Sequence, residues 1–579
     1  MSIEAHYRDE LNYLREMGAL FARSNPQLAP YLGEDASDPD VERLLEGFAF
    51  LVGRLTDRLD AEFPELAQDL LRLIAPHYLR PVPPVTTLQF RATDAAGGAT
   101  IRVARGTTVQ TAPIEGEGIR FRTGFDIVVM PFEIAAVELE NRDDGCLFTL
   151  TFNCRPGARL QALREAPLDL FFNGRRDPAT ARLLYLFFME HVGSVQFTPK
   201  GGASVKAAIR ITPRGSVTDE ATLPCPDGGF SGFRFLQEYL ACPETLLHAR
   251  ITGLESFAEV DAEGFTLAFE MTRRFGGTAP LGPELFALNA TPAVNLFEAD
   301  GQPFLLSDDR AEYPIRPLEG TATRSVQAIE SVAGYVGTNG ERIEYEPFER
   351  FRHDQGGEVG PSYRTRLRPS FAGGLEHHIS FGMRGGPGAS LRAETITTRL
   401  TCSNGPIVSR VGVGAVSRPG PNTPARLIFS NITPVTSEAP APVHDAAIWT
   451  LIAALPRNFG SLADIGWLRA VLAAHDFRGA CDRQSAKRRD LLLQSMVQFE
   501  RRSVDVIRRG RPVRTQEFLL RLADRPVGGE GEMYLLGSVL NRFLKSYAGI
   551  NSLHSFSIAG NDSGTTYRWA PAWGESAAL

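Results

Sequence analysis

DPDVERLLEGFAFLVGRLTDRLDAEFPELAQDLLRL, residues 38–73, is the stretch on which the reading of the fold turns. Asp38 before Pro39 sets an N-capping side chain next to the residue that fits a first helical turn, where a missing N–H costs nothing. Asp40 and Glu42 add negative charge at the positive end of the helix dipole. On a helical wheel Val41, Leu44, Leu45, Phe48, Val52, Leu55 and Leu59 share an arc of about 100°, the width of a core-facing stripe, with Glu42, Arg43, Glu46, Arg54 and Asp57 opposite. Fully buried, seven such side chains contribute about ten kcal/mol or more as an upper bound. The stripe therefore needs a partner surface. Pro64 and a second apolar helix (PELAQDLLRLI) follow at once, which predicts a local helical core, with the stripe packing mainly inside its own N-terminal region.

Upstream, residues 3–22 read as another amphipathic helix, with Tyr7, Leu11, Leu14 and Phe21 on one face beside Gly18. It is the helix expected to reach a partner. Pro26 and Pro30 end it, and PVPP (81–84) closes a helical region of residues 1–84. From Val85 the texture changes to period two in TTLQFRAT, TIRVARGTTVQT and FDIVVMPFEIAAVELE, then at 147–152, 168–172 and 194–213, so strands are expected. A helix is predicted at 178–189, and a short one within GFSGFRFLQEYLAC (229–242). Further strands are expected at 246–252, 264–271, 378–382 and 394–402, with turn-rich breaks at DQGGEVGP (354–361), RGGPGAS (384–390) and SRPGPNTP (417–424). The C-terminal region is predicted to carry helices near 446–455, 461–475 and 532–547, and strands at 491–499, 503–508 and 516–521. These patterns divide the chain into a helical region (1–84), a β-rich domain (85–220), a second β-rich domain with a short helix (221–437) and a mixed α/β domain (438–579). The fold class is α+β and multidomain.

The composition narrows function by exclusion. A net charge of −7 over 579 residues argues against a whole-protein nucleic-acid binder. With 36 Phe and 4 Trp, the aromatic content favours cores and interfaces over a sugar-binding platform. Cysteines 146, 154, 225, 242, 402 and 481 are scattered, which suits reduced core residues better than a disulfide framework. The opening MSIEAHYRDEL has no apolar export segment, and AAIWTLIAAL (446–455) is about half a membrane span, so a cytoplasmic location is expected.

No catalytic or metal signature survives inspection. The histidines are dispersed, and the adjacent His377 and His378 would point to opposite faces of a strand. Asp308–Asp309 and Asp143–Asp144–Gly145 lack the alternating ligands of a calcium loop. Phe233 stands where the second glycine of a nucleophile elbow begun at Gly229 should be. Gly412-Val413-Gly414 lacks the last glycine of a dinucleotide fingerprint, and Glu344 and Glu346 on one strand face are unspecific. Residues 483–514 hold ten Arg or Lys against Asp490, Glu500 and Asp505. The one aromatic there, Phe499, argues for a solvated face or an acidic protein partner over single-stranded nucleic acid. Tyr567, Trp569 and Trp573 in the tail could dock a partner or fold back on their own domain. A large β-rich enzyme or carbohydrate-binding protein is the alternative reading, and the scattered His and few Trp do not favour it.

Eight segments in order resemble the TssF (ImpG) family of type VI secretion baseplate subunits: YRDELNYLRE, DPDVERLLEGFAFL, LDAEFPEL, PHYLRPVP, FSGFRFLQEY, TPAVNLF, TCSNG and VLNRFLKSYAGINSL. The motif positions singled out are Phe233, Phe235, Tyr239, Asn295, Phe297, Asn404 and Asn551. The sequence departs from the family pattern at Ala61, where an acid is usual, at Leu240 and Leu247, where aromatics are common, and at Ser403, where Thr is typical. The resemblance implies a phage-tail-like wedge protein without catalysis or cofactor. Its implied partners are TssG, a second TssF copy, TssE, TssK, the VgrG spike and neighbouring wedges, in a cytoplasmic complex docked at the inner membrane.

Overall fold

The computed structural model describes residues 7, 8, 11–15, 17, 18, 21, 38–215, 220–225, 230–277, 280–307, 309–320, 324–336, 341–348, 361–370, 374–382, 394–443, 447–454, 464–508, 510–550 and 552–575, with backbone alone at 53–65, 369, 447, 450, 453, 454, 508 and 511. Residues 7, 8, 11–15, 17, 18 and 21 are helical. Helix α1 then runs as one piece over Pro39–Ile74, 36 residues, capped by the Asp38 side chain, which accepts from the Asp40 N–H. Pro64 does not open a second helix, contrary to the sequence reading. Its fixed φ is itself helical, so its penalty is one lost hydrogen bond and a clash with the preceding turn, about 3 kcal/mol. Buried Ala67, Gln68 and Leu71 on the next turn hold the helix against that penalty.

Beyond α1, the described helices are α2 (Pro178–Glu190), α3 (Ser231–Ala241), α4 (Ala447–Ala454), α5 (Ile465–His475), α6 (Arg483–Ser495) and α7 (Glu530–Tyr547). Asp177 starts α2 by accepting from the N–H groups of Ala179 and Thr180, the cap that the Asp–Pro pair announces. The residues expected to begin a strand at 491 instead finish α6. Asp482 accepts from the Gln484 and Ser485 N–H groups, which nucleates a helix where alternation alone suggested a strand. Extended backbone starts at Met496.

The described strands form five sheets of four to eight strands and one two-stranded ribbon, and their order in space crosses the sequence. One six-stranded sheet runs Val416–Pro419, Thr108–Thr111, Arg120–Thr123, Ala290–Val294, Val85–Ala92, Leu427–Asn431. Val85 there faces Val294 on one side, and Leu88 faces Asn431 on the other. A five-stranded sheet runs Val205–Lys206, Val192–Pro199, Gly264–Met271, Gly145–Cys154, Phe132–Arg142. A four-stranded one runs Arg210–Pro213, His248–Thr252, Leu168–Phe172, Phe286–Leu288. The expected boundary between residues 220 and 221 therefore cuts through all three of these sheets. Alternating patterns reveal strands but say nothing of which distant strand each one meets.

The remaining large sheets are local. Residues 297–403 build an eight-stranded sheet, and the C-terminal region builds a four-stranded one in the order Met496–Arg508, Arg511–Leu522, Leu553–Gly560, Thr566–Trp573. One apolar core joins α2, α3, α5 and α7 to the five-stranded, four-stranded and C-terminal sheets. Trp569 folds back onto Tyr534, ring centroids 5.4 Å apart, while Trp573 is exposed. DQGGEVGP (except Pro361) and RGGPGAS lie outside the described residues.

Candidate assembly surface

The residues nearest the end of α1 show what the helix is for. Gln68 is buried and grips the strand Ser362–Pro369 through both amide atoms: its Nε2 donates to the Leu367 carbonyl at 3.1 Å and its Oε1 accepts from the Leu367 N–H at 3.0 Å. Ala67, Leu71, Ala75 and Tyr78 enter a core shared with Ile448, Leu451 and Phe477. The C-terminal half of α1 is thus rooted in the body of the protein.

The N-terminal half carries an uncovered apolar ridge. Leu44 and Phe48 are 73 % and 54 % exposed, and Leu51 is exposed on the same face. Val41, Leu45 and Val52 are half-buried, and Ala49 is the fully buried residue of this segment. The stripe therefore does not pack mainly within its own N-terminal region at Leu44 and Phe48. The burial that exists lies one face around, toward Ala49. The side chains of Leu55 and Leu59 lie outside the described ones. On the preceding helical segment Leu11 is buried, Tyr7 and Leu14 are half-buried, and Phe21 is exposed. Tyr13, Met17 and Phe21, at four-residue spacing, are exposed together. The first two escaped the sequence reading, although an i, i+4, i+8 series is itself the signal of a helix face. An ion pair between Arg15 Nη2 and Glu42 Oε2, 2.6 Å, ties this segment to α1.

The family-motif residues, by contrast, are internal fasteners. Phe233 stacks on His475 and on His77, with centroids 4.6 and 5.1 Å away, so PHYLRPVP and FSGFRFLQEY meet in one core. The two imidazoles approach through their Nε2 atoms at 3.2 Å. His475 Nδ1 lies 2.7 Å from the Val471 carbonyl, which can only accept, so that nitrogen carries the proton. His77 Nε2–H must then donate to His475 Nε2, leaving His77 Nδ1 bare, and that atom indeed has no partner. Burial holds His77 well below its ordinary value and lowers His475 to about 4, so both are neutral near pH 7. His377 is likewise lowered to about 4 by burial.

Tyr239 donates to Glu532 Oε1 at 2.7 Å, and Arg182 pairs with Glu532 Oε2 at 2.7 Å, which fastens α3, α2 and α7. Phe235 receives the guanidinium faces of Arg234 and Arg542 at 4.7 and 5.7 Å. Asn295 Nδ2 donates to Asn404 Oδ1 and to the Arg120 carbonyl, while Asn295 Oδ1 accepts from the Asn404 N–H at 2.8 Å. Asn404 Oδ1 also accepts from the Arg120 N–H, so TPAVNLF and TCSNG clasp one strand between them. Phe297 lies under Arg120 and Arg324 at 5.1 and 5.3 Å. Of the departures from the family pattern, Leu247 is buried, Leu240 packs at the edge of the main core, and Ser403 Oγ donates to Glu438. Asn551 lies outside the described residues. Among the described residues no three of His, Cys, Asp and Glu gather to hold a metal. No described helix is long and apolar enough to cross a membrane.

The model of the type VI secretion system TssF family matches residues 1–576. The type VI secretion system component TssF1 of Pseudomonas aeruginosa is 27 % identical, with 97 % of each chain covered. In fold, the chain resembles a chain of a TssK-TssF-TssG baseplate subcomplex, with a TM-score of 0.75 at 23 % identity, covering 92 % of this chain and 98 % of that one. It also resembles a chain of a type VI secretion baseplate complex, with a TM-score of 0.65 at 21 % identity and full coverage of both. Every motif that fastens this core falls inside the span of the family match, and the chain belongs to the TssF family of type VI secretion system proteins.

Proposed function

We propose that this chain is a structural wedge subunit of a type VI secretion baseplate, with no catalytic role, and that it is built into the wedge through its N-terminal helices. The observation that carries the reading is the ridge of Leu44, Phe48 and Leu51 on a helix whose other end is locked by Gln68. A rooted helix with an uncovered apolar face presents that face at a fixed angle, and interlocking of such ridges sets the angle between subunits that a repeated ring needs. The expected occupants are a helix of a TssG protein and the matching helices of a second copy of this chain. TssK, TssE, the VgrG spike and neighbouring wedges are the further contacts, in a cytoplasmic complex docked at the inner membrane. The motif residues support the reading by their use: the histidines and carboxylates that a β-rich enzyme would expose are spent here on holding the core.

Co-expression with the TssG protein of the same genome tests it. The wild-type chain should co-purify. Leu44→Asp and Phe48→Asp, both at exposed positions, should leave solubility and circular dichroism intact and weaken co-purification by at least about tenfold, since each buried apolar side chain is worth roughly 1.5–3 kcal/mol. A wild-type chain that stays a stable monomer and ignores TssG, or aspartate variants with unchanged wedge yield, would overturn the proposal.

A further inference from the structure

A small cavity beside the stacked histidines is lined by two buried polar side chains whose hydrogen-bonding capacity the chain does not use. It measures about 30 Å³ and lies where the segment after α1, helix α3 and the eight-stranded sheet meet. His77 and Gln237 both line it, and each is only 6 % exposed. Gln237 follows Phe233 by four residues, so it sits one turn along α3 on the face that stacks against His77. The bond to His475 commits His77 Nε2 to carrying the proton, which makes His77 Nδ1 an acceptor. That acceptor has no partner in the chain, and neither has Nε2 of Gln237, a donor. Their polar neighbours are engaged elsewhere: Gln327 Nε2 donates to Ser403 Oγ at 3.3 Å, and Thr401 Oγ1 donates to Glu330 at 2.7 Å. Pro81, Pro83 and Pro224 line the cavity as well and have no N–H to offer His77.

We propose that this cavity is the binding site of one structural water molecule, which donates to His77 Nδ1 and accepts from Gln237 Nε2. The volume clears the roughly 10–15 Å³ that a single water needs. Water both donates and accepts, so it suits the Gln237 amide in either orientation. A metal ion would call for three or more ligands from His, Cys, Asp and Glu, and among the described residues no such group gathers. Immobilising one water costs less than leaving two buried polar groups bare. The bridge ties PHYLRPVP to FSGFRFLQEY by a second route beside the ring stack, and it accounts for a glutamine and a half-used imidazole at the edge of an apolar core. It involves neither the ridge on α1 nor any partner, so it stands or falls apart from the helical assembly proposed above.

A density map of the full-length chain, alone or in its assembled complex, at a resolution that shows ordered waters tests it. The wild type should show one isolated peak about 2.7–3.2 Å from both His77 Nδ1 and the Gln237 amide. Gln237→Leu removes one of the two anchors and should abolish the peak, while the rings of Phe233, His77 and His475 keep their stack. The wild-type map decides the matter even if the leucine variant fails to fold. A wild type with no peak at that position, or with the Gln237 amide turned directly onto His77 Nδ1, would overturn the proposal. So would a peak about 2.0–2.2 Å from the imidazole nitrogen, the distance of a metal ion, or a peak that persists unchanged in Gln237→Leu.

Discussion

Replacing Asn295 with alanine should loosen the clasp between three segments that are far apart in sequence. The side chain is fully buried. It makes three hydrogen bonds: Nδ2 to the Arg120 carbonyl, Nδ2 to Asn404 Oδ1, and Oδ1 from the Asn404 N–H. Each contributes about 1 kcal/mol net, and the buried Asn404 N–H has no substitute partner once Oδ1 is gone, so the loss is about 3 kcal/mol. A chain with several cores does not unfold in one step, which makes a global melting curve the wrong gauge. Hydrogen exchange of the Asn404 amide is the direct one, and a change of about 3 kcal/mol in local opening speeds it on the order of a hundredfold. Asn295→Asp sharpens the test. It keeps the acceptor for the Asn404 N–H but sets a second carboxylate oxygen against the Arg120 carbonyl and Asn404 Oδ1, so it should do worse than alanine. Exchange less than about tenfold faster in the alanine variant, or an aspartate variant that matches the wild type, would refute this account of the clasp.

Two further outcomes follow from the core. His475 is lowered by burial to about 4, against an ordinary value of 6.5, so between those values the unfolded chain binds a proton that the folded chain refuses. Stability is therefore complete above about pH 6.5 and falls with decreasing pH, by up to about 1.4 kcal/mol per unit for each such histidine; His475→Phe should flatten the fall between pH 6.5 and 5 in the local opening free energies read by hydrogen exchange of the α5 amides, while lowering stability at pH 7. At Gly531 a Cβ would sit 2.7 Å from the backbone of Arg182 and Leu183, where α7 starts against α2, so Gly531→Ala should cost about 1–3 kcal/mol. Gly47→Ala, with nothing within 4 Å on exposed α1, should stabilise by roughly 0.5–1 kcal/mol.

What could be read from the chain was local. Asp38–Pro39 announced one helix start, and period-two runs such as Gly264–Met271 announced strands with their ends. Asp177 and Asp482 carry the same capping signal for α2 and α6, and the sequence reading did not use it: the alternating apolar residues after Asp482 suggested a strand from 491 instead. Pairing was not legible, because Leu88 meets Asn431 by a rule that no local pattern encodes. The motif residues were found by resemblance, yet their use as clasps was hidden: Asn295 and Asn404 reveal one another only in space. The ridge on α1 shows the deepest limit, since Leu44 looks the same in sequence whether its cover is this chain or another.

The order of strands in the six-stranded sheet also has a consequence for synthesis. Val85–Ala92 leaves the ribosome well before Ala290–Val294, and longer still before Leu427–Asn431, the two strands that flank it. At about 5–20 residues per second the wait for the second neighbour is roughly 20–70 s. Until Ala290–Val294 emerges, a nascent strand rich in Val, Thr, Leu and Phe has both edges open, and one edge stays open until Leu427–Asn431 follows, which is when misplaced pairing and capture by chaperones compete with folding. The N-terminal half of this chain is thus not a unit that can be expressed alone. Ribosome-bound intermediates should acquire protease resistance late, after the strand ending at Asn431 has emerged, and not in steps along the chain.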